Sequence, residues 1–156
     1  DQHLLYCDWK KRDSLLVTKE QFTNDLLKNL DVMRQAGINV QHSQWFLPPY
    51  EWYNDSIAVW CKQLGVQLIN FTPGTKSNAD YTWPGLPNYQ SSDSIYQSII
   101  SYEKGNPSGL NGFILLLHIG TDPRRTDKFY KRLPPLLQQL KAKGYRFRSI
   151  DQLLIK

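Results

Sequence analysis

Gly112-Phe113-Ile114-Leu115-Leu116-Leu117-His118-Ile119-Gly120 decides how this chain is read. An apolar run this short, bounded by glycines, predicts a buried strand. At its downstream end the run changes from interior side chains to an imidazole, followed closely by a glycine. In an α/β layout, ligands and chemistry collect at the carboxyl ends of strands. An imidazole placed there is a candidate acid or base, because its unperturbed pKa of about 6.5 lets it exchange a proton near neutrality. A core histidine bonded to a carbonyl is the competing reading.

Working outward, the pattern alternates helix and strand, which argues for an α/β class with a mostly parallel sheet. Thr18 and Gln21 make a capping box. Beyond it Phe22, Leu26, Leu30 and Met33 share one helical face, and Gly37 is the expected stop. Ile38 to Val40 and Gln44 to Leu47 offer short extended segments that end at Pro48-Pro49. A second helix is expected from Asn54 or Asp55 to Leu64, with Ile57, Trp60 and Leu64 inward and Gly65 closing it. Val66 to Phe71 then reads as a strand, broken at Thr72-Pro73-Gly74. From Gly74 to Gln90 the chain has no period, and a loop this long in a compact domain is usually functional or disordered. Tyr81, Trp83 and Tyr89 argue against plain disorder. Ser91 or Ser92 caps a third helix through Lys104, burying Ile95 and Ile99, before the turn Asn106 to Gly109. A last helix starts near Thr126 or Asp127, and Pro134-Pro135 predicts a kink or restart within it. Gly144 ends that helix, and Tyr145 to Ile150 reads as a final alternating strand.

The bulk numbers bound the rest. With 156 residues, 40% of them hydrophobic, a single domain with a real core is the default. Aromatic content of 13%, with five Trp and nine Tyr, is high enough to supply a sugar-stacking cleft as well as a core. The net charge is +5, but the basic residues are scattered. Lys10-Lys11-Arg12 and Arg124-Arg125 read as solvated surface, and no nucleic-acid partner is expected. Cys7 and Cys61 form neither a metal pattern nor a disulfide framework; free thiols are expected, with a single bridge between them the alternative. No stretch reaches the apolar length of a membrane span, and the first residues carry no leader pattern. The opening Asp-Gln-His, with no Met, reads like the middle of something, so a processed or truncated piece is expected.

Several motifs carry a resemblance. Gly112 to Leu154, with ILLLH, a Leu/Pro-rich helix and then LKAKGYRFRSIDQLL, resembles the end of the NodB-homology polysaccharide deacetylases, carbohydrate esterase family 4. Phe46-Leu47-Pro48-Pro49-Tyr50 is similar to that family's third motif, in which Arg stands where this chain has Leu47. Asn78-Ala79-Asp80-Tyr81 resembles a fourth motif ending in Asp-Trp, with Tyr81 in place of Trp. Asp1-Gln2-His3 matches the end of a second, histidine-containing motif.

The resemblance implies an irregular, TIM-like (β/α) barrel, of which residues 1–156 would be the C-terminal two-thirds, the first motif and N-terminal strands preceding residue 1. It also implies a metal-dependent hydrolase that removes acetyl groups from an N- or O-acetylated glycan. The remaining N-terminal part of the same domain would be a partner, and the isolated piece is expected to be nearly inactive. Export to the periplasm, cell surface or exterior is implied as well.

Site roles follow from the same likeness. His3 would be one ligand of a divalent metal, zinc before others, in a site left incomplete by this chain; on the residues alone a surface histidine is the favoured reading. His118 would be the general acid that protonates the departing nitrogen. Asp80 would orient that imidazole and favour its charged form, and otherwise it is a turn residue. Tyr50 would lend its backbone N–H to an oxyanion hole, a role indifferent to its side chain. Leu116 would line the acetyl pocket. Tyr81, Trp83, Pro49 and Trp52 would contact substrate, and Trp45, Trp52, Tyr53 and Trp83 are candidate stacking surfaces, although taken singly each reads first as a structural aromatic. His42 has no partner at ligand spacing and reads as structural.

Two other functions compete. Leu47 in place of Arg fits a catalytically idle relative that still binds glycans. A glycosidase would need two carboxylates facing each other across a cleft, and the strand ends show no such pair.

Overall fold

The computed structural model describes residues 3–42 and 44–154. They fall into two compact units, Asp1–Asn70 and Phe71–Lys156, and each is built around its own apolar cluster.

In the first unit, helix α1 spans Lys19–Gln35 and starts as its sequence requires. The Thr18 hydroxyl accepts the Gln21 N–H at 3.1 Å, and Gln21 Oε1 accepts the Thr18 N–H at 2.8 Å. The helix ends where Gly37 takes φ 82°, a left-handed conformation that suits glycine. Phe22 and Leu26 are buried, while Leu30 and Met33 are half-buried. Strand β1 (Trp45–Phe46) pairs in parallel with β2 (Gln67–Leu68), the sole regular ladder among the described residues. Between them lies α2 (Asp55–Gln63), whose Asn54 cap accepts the Ile57 N–H. Ile57 and Cys61 of α2 are fully buried, whereas Trp60 and Leu64 are only half-buried. These side chains meet Tyr6, Phe22, Leu26 and Val66 in one cluster, with the Tyr6 and Phe22 rings edge to face at 5.0 Å.

Several extended segments are shorter than their sequences promise. Ile38 to Val40 gives way to a 3-10 turn at Val40–His42, and Val66 to Phe71 is strand only at Gln67–Leu68, held by the Gln67 and Ile69 N–H groups on the Gln44 and Phe46 carbonyls. The side chain of His42, and residues Asp1 and Gln2 of the partial second motif, lie outside the described residues.

In the second unit, α3 (Ser92–Gly105) is capped by Ser91 and buries Ile95, Ile99 and Ile100. A 3-10 turn, Phe129–Arg132, runs into α4 (Leu133–Ala142), whose first turn holds Pro134-Pro135. Proline is tolerated there because the first helical N–H groups have no intrahelical acceptor to lose. Leu136 and Leu140 of α4 pack on α3 residues, Leu110 and Phe129. The chain closes with α5 (Ile150–Leu154), a helix the sequence reading missed. Its signal was present: Ser149 and Gln152 have capping-box spacing, and the Ser149 hydroxyl takes the Gln152 N–H at 3.4 Å.

The apolar run leading to His118 is not a regular strand. Residues 113–118 are half-buried and outside any ladder. Thr72 donates its N–H to the Ile114 carbonyl at 2.9 Å, but Ile114 returns its N–H to the Thr72 hydroxyl rather than to a carbonyl. A side-chain oxygen thus takes the place of the next ladder acceptor, and the pairing stops. Tyr145 to Ile150 is not a strand either. A cavity of about 360 Å³, lined by Phe113, Leu115, Tyr145 and Phe147 among others, lies between it and the apolar run. The alternation of the run survives without the ladder: Phe113, Leu115 and Leu117 pack on the core, which leaves Ile114, Leu116 and His118 for the other side.

Candidate active site

The second unit joins two of the predicted site residues directly. Asp80 lies in a 3-10 turn, Ser77–Tyr81, within the segment that showed no sequence period. Its carboxylate is 1% exposed, and His118 holds it twice. The His118 backbone N–H donates to Oδ2 and the ring Nδ1–H donates to Oδ1, each at 2.7 Å. The pairing fixes the imidazole tautomer with hydrogen on Nδ1, so proton exchange is assigned to Nε2. The His118 side chain keeps 29% exposure, enough to reach a solvent-borne reactant. Tyr81 meets the imidazole edge to face at 5.7 Å. Leu116, two residues upstream, is half-buried on the same side of the alternating run.

Trp83 is placed differently from a free stacking platform. The Arg124 guanidinium lies 3.7 Å above its ring centroid. A Cβ added at Gly85 would come within 1.7 Å of the ring, so the Gly85 backbone also presses on the indole. Arg124 is itself held by a fork to Asp122, with Nε at 2.9 Å from Oδ1 and Nη2 at 2.6 Å from Oδ2. The Arg124 side chain and backbone N–H hold the Asp122 carboxyl down at about 2. Lys128 Nζ donates to the Thr121 hydroxyl and to the carbonyls of Thr121 and Asp122. The loop that follows His118 is thereby tied down at several points, while Ile119 at its start is 89% exposed.

Arg125 corrects the sequence reading, which put it on the solvated surface. Its side chain is fully buried. Nη1 donates to the carbonyls of Thr82, at 2.5 Å, and Gln90, at 3.0 Å, and Nη2 donates to the Ser92 hydroxyl at 3.2 Å. Asp127 Oδ2 is 3.8 Å from Nη2 and takes the Ser92 N–H at 2.5 Å. Burial pushes the Asp127 carboxyl up, but the Ser92 bonds and Arg125 outweigh it and hold it low. A Pro- and Gly-rich loop has carbonyls with no ladder to satisfy them, and one guanidinium supplies several donors at once. That need was the available signal.

The first unit gathers the remaining candidates. His3, at φ 53°, packs its ring against Tyr50 at 4.7 Å. Pro49 opens a 3-10 turn in which Tyr50 and Glu51 both adopt left-handed φ, 60° and 55°. Two such residues in succession, neither of them glycine, store strain of the kind that gathers at functional sites. The turn is held by the Glu51 N–H on the Pro48 carbonyl and by Asn70 Nδ2 on the Glu51 carbonyl, both at 2.9 Å. Trp52 lies beside it, its indole N–H donating to the Asp8 carbonyl at 3.1 Å. Trp45 and Tyr53 are half-buried.

A carboxylate that the sequence reading passed over lies in this unit. Asp25 interrupts the apolar face of α1, is 5% exposed, and accepts the Tyr6 hydroxyl at 2.8 Å. It lines a cavity of about 220 Å³ together with His3, Asn29, Leu47 and Pro49. Where the resembled motif carries Arg, Leu47 therefore borders a space with a buried carboxylate in its wall.

Among the described residues, no three His, Cys, Asp or Glu side chains gather in a group that would hold a metal ion. His3 is a single candidate ligand and would need others to hold such an ion. Cys7 and Cys61 are buried free thiols. No helix among the described residues is long and apolar enough to cross a membrane. Neither a scan against protein-family models nor a search of curated proteins finds a match to this chain.

Proposed function

We propose that this chain is part of a carbohydrate deacetylase of the NodB-homology kind, in which His118 is the general acid and Asp80 the residue that positions it. Hydrolysis of an acetamide or acetate ester adds water at the carbonyl carbon and then breaks the bond to nitrogen or oxygen. The departing atom needs a proton at that second step, and an imidazole with Nδ1–H fixed on a carboxylate delivers one from Nε2. The buried Asp80 carboxylate on His118, through ring and backbone together, is the observation that carries the reading. The half-exposed Tyr81 edge and the half-buried Leu116 are consistent with a small acyl group beside the imidazole. The strained turn at Tyr50 suits a backbone N–H kept in place for an oxyanion. His3 remains the candidate ion ligand, and the reading carries with it the barrel architecture and an exported glycan-processing role.

The test is acetate release from an acetylated oligosaccharide by the protein that contains this chain. His118→Ala should abolish turnover while the melting temperature stays within a few degrees. Turnover at the wild-type rate would overturn the proposal. Leu47, in place of Arg and facing the Asp25 cavity, favours a second reading in which glycan binding persists without catalysis. Binding without acetate release in the wild-type protein would select it.

A further inference from the structure

We infer that the first unit carries a glycan-anchoring corner built from Trp9, Tyr50 and Arg12, which takes uncharged sugar rings. Trp9 is 52% exposed and Tyr50 45% exposed, a large apolar outlay for side chains held so firmly. The turn that presents Trp9 is constructed rather than loose. Asp8 Oδ1 accepts the N–H groups of Lys10 and Lys11 at 2.7 Å each, and the Asp8 N–H reaches the Ser14 carbonyl at 2.9 Å. Cys7 and Leu15 close the base of the turn through an antiparallel bridge.

The rings form a corner, not a stack. Trp9 and Tyr50 meet at 80° with centroids 5.7 Å apart, and Trp52 supports Trp9 from 5.4 Å. One wall of such a corner can lie flat under the C–H face of a pyranose while the other borders its edge. Arg12 continues the path: its guanidinium sits 4.3 Å over Trp52, and its Nε donates to the Tyr53 carbonyl at 2.8 Å. Its terminal nitrogens have no hydrogen-bond partner among the described residues, and as Arg12 is exposed they remain available as donors to a ligand.

The rim decides which ligand fits. Arg12 shares a recess of about 270 Å³ with Asp13, Tyr53, Asn54 and Asp55. An anionic ligand would meet two carboxylates there, and a cationic one would meet the guanidinium. Hydroxyl groups are served by both, because each can donate and accept. Aromatic faces flanked by donors and acceptors of both signs therefore select a neutral, polyhydroxylated ring. This inference rests on the glycan part of the proposed function and not on its catalytic part.

The experiment is isothermal titration of the protein with a β-1,4-linked N-acetylglucosamine hexamer, an oligouronate of equal length and a fully deacetylated hexamer. Trp9→Ala, Trp9→Phe and Arg12→Gln are compared with the wild type, with melting curves confirming the fold. The neutral hexamer should bind best. Trp9→Ala should weaken it about tenfold, equivalent to one lost ring stack, Trp9→Phe should restore most of the loss, and Arg12→Gln should weaken it severalfold. Binding that persists unchanged in folded Trp9→Ala and Arg12→Gln would overturn the corner while leaving the glycan reading intact. Preference for the oligouronate or the deacetylated hexamer would overturn the neutral-ligand assignment. Wild-type protein that binds none of the three would remove both the corner and the glycan reading.

Discussion

Asp80 accepts two hydrogens from one residue: the backbone N–H and the ring Nδ1–H of His118, both at 2.7 Å. The backbone bond fixes where His118 stands, and the ring bond fixes which way it faces. Replacing Asp80 with Asn removes the charge and lets an amide N–H compete for Nδ1, which frees the opposite tautomer. Acetate release should fall about 10²–10⁴-fold in Asp80→Asn, the range that general acid catalysis usually contributes. A ¹⁵N spectrum of the imidazole provides the check, because a positioning role predicts a change of tautomer in the folded variant. An unchanged tautomer with unchanged turnover would remove Asp80 from the mechanism.

Arg125 should be the most stability-critical charge in the second unit. Its guanidinium satisfies the carbonyls of Thr82 and Gln90 from a fully buried position. Arg125→Met keeps the apolar stem and orphans both carbonyls, at about 1–3 kcal/mol for each buried group left unpaired. Chemical denaturation should show a loss of roughly 2–6 kcal/mol on that basis, with earlier proteolysis between residues 82 and 92. Arg125→Lys should recover only part of it, since one ammonium cannot copy a planar fork. A midpoint within experimental error of the wild type for Arg125→Met would refute the account.

The contrast between these residues shows what the sequence could convey. Helices α1, α2 and α3 were legible because Thr18, Asn54 and Ser91 cap them locally and Ile57, Ile95 and Ile99 recur at helical spacing. His118 and Asp80 were legible through motif resemblance, and their contact spans 38 residues of chain, a separation that no local pattern encodes. The strand expected at 113–117 failed because apolar residues predict burial, whereas a ladder also needs a neighbouring backbone in register. Thr72 supplies one carbonyl-directed bond and one hydroxyl, and the pairing goes no further. Arg125 reads like any basic surface residue until the carbonyls around it are counted. Trp9 and Arg12 share that difficulty, because their meaning lies in partners forty residues away, at Tyr50, Trp52 and Tyr53.

Gly85 should tolerate no side chain. A Cβ there would stand 1.7 Å from the Trp83 ring, which already carries the Arg124 guanidinium 3.7 Å from its centroid. Relief requires the indole to move and the Arg124 stack to break, a strain of about 1–3 kcal/mol in a packed setting. Gly85→Ala should lower the melting temperature and shift tryptophan emission to the red. Restoring the emission maximum by adding Arg124→Ala to Gly85→Ala would contradict the packing described.

Alkaline pH should weaken the first unit through two buried acids. Burial, then the hydrogen bond and charge of Asp25, drive the Tyr6 phenol well above its ordinary value of 10.0. Burial, outweighing a backbone hydrogen bond that acts the other way, lifts the Cys61 thiol from 9.0 to about 11. Both shifts favour the protonated form in the folded chain, so the unfolded chain releases these protons first as pH rises. The stability they provide is complete below the ordinary values and drains away as pH climbs through 9 and 10 toward the folded ones. Urea denaturation at pH 8, 10 and 11 should therefore give steadily falling free energies. Tyr6→Phe should be less stable at pH 8, by about 1–3 kcal/mol for the bond taken from Asp25, yet show a flatter decline above pH 10. Equal slopes for Tyr6→Phe and wild type would mean that the phenol ionises no differently in the fold than out of it.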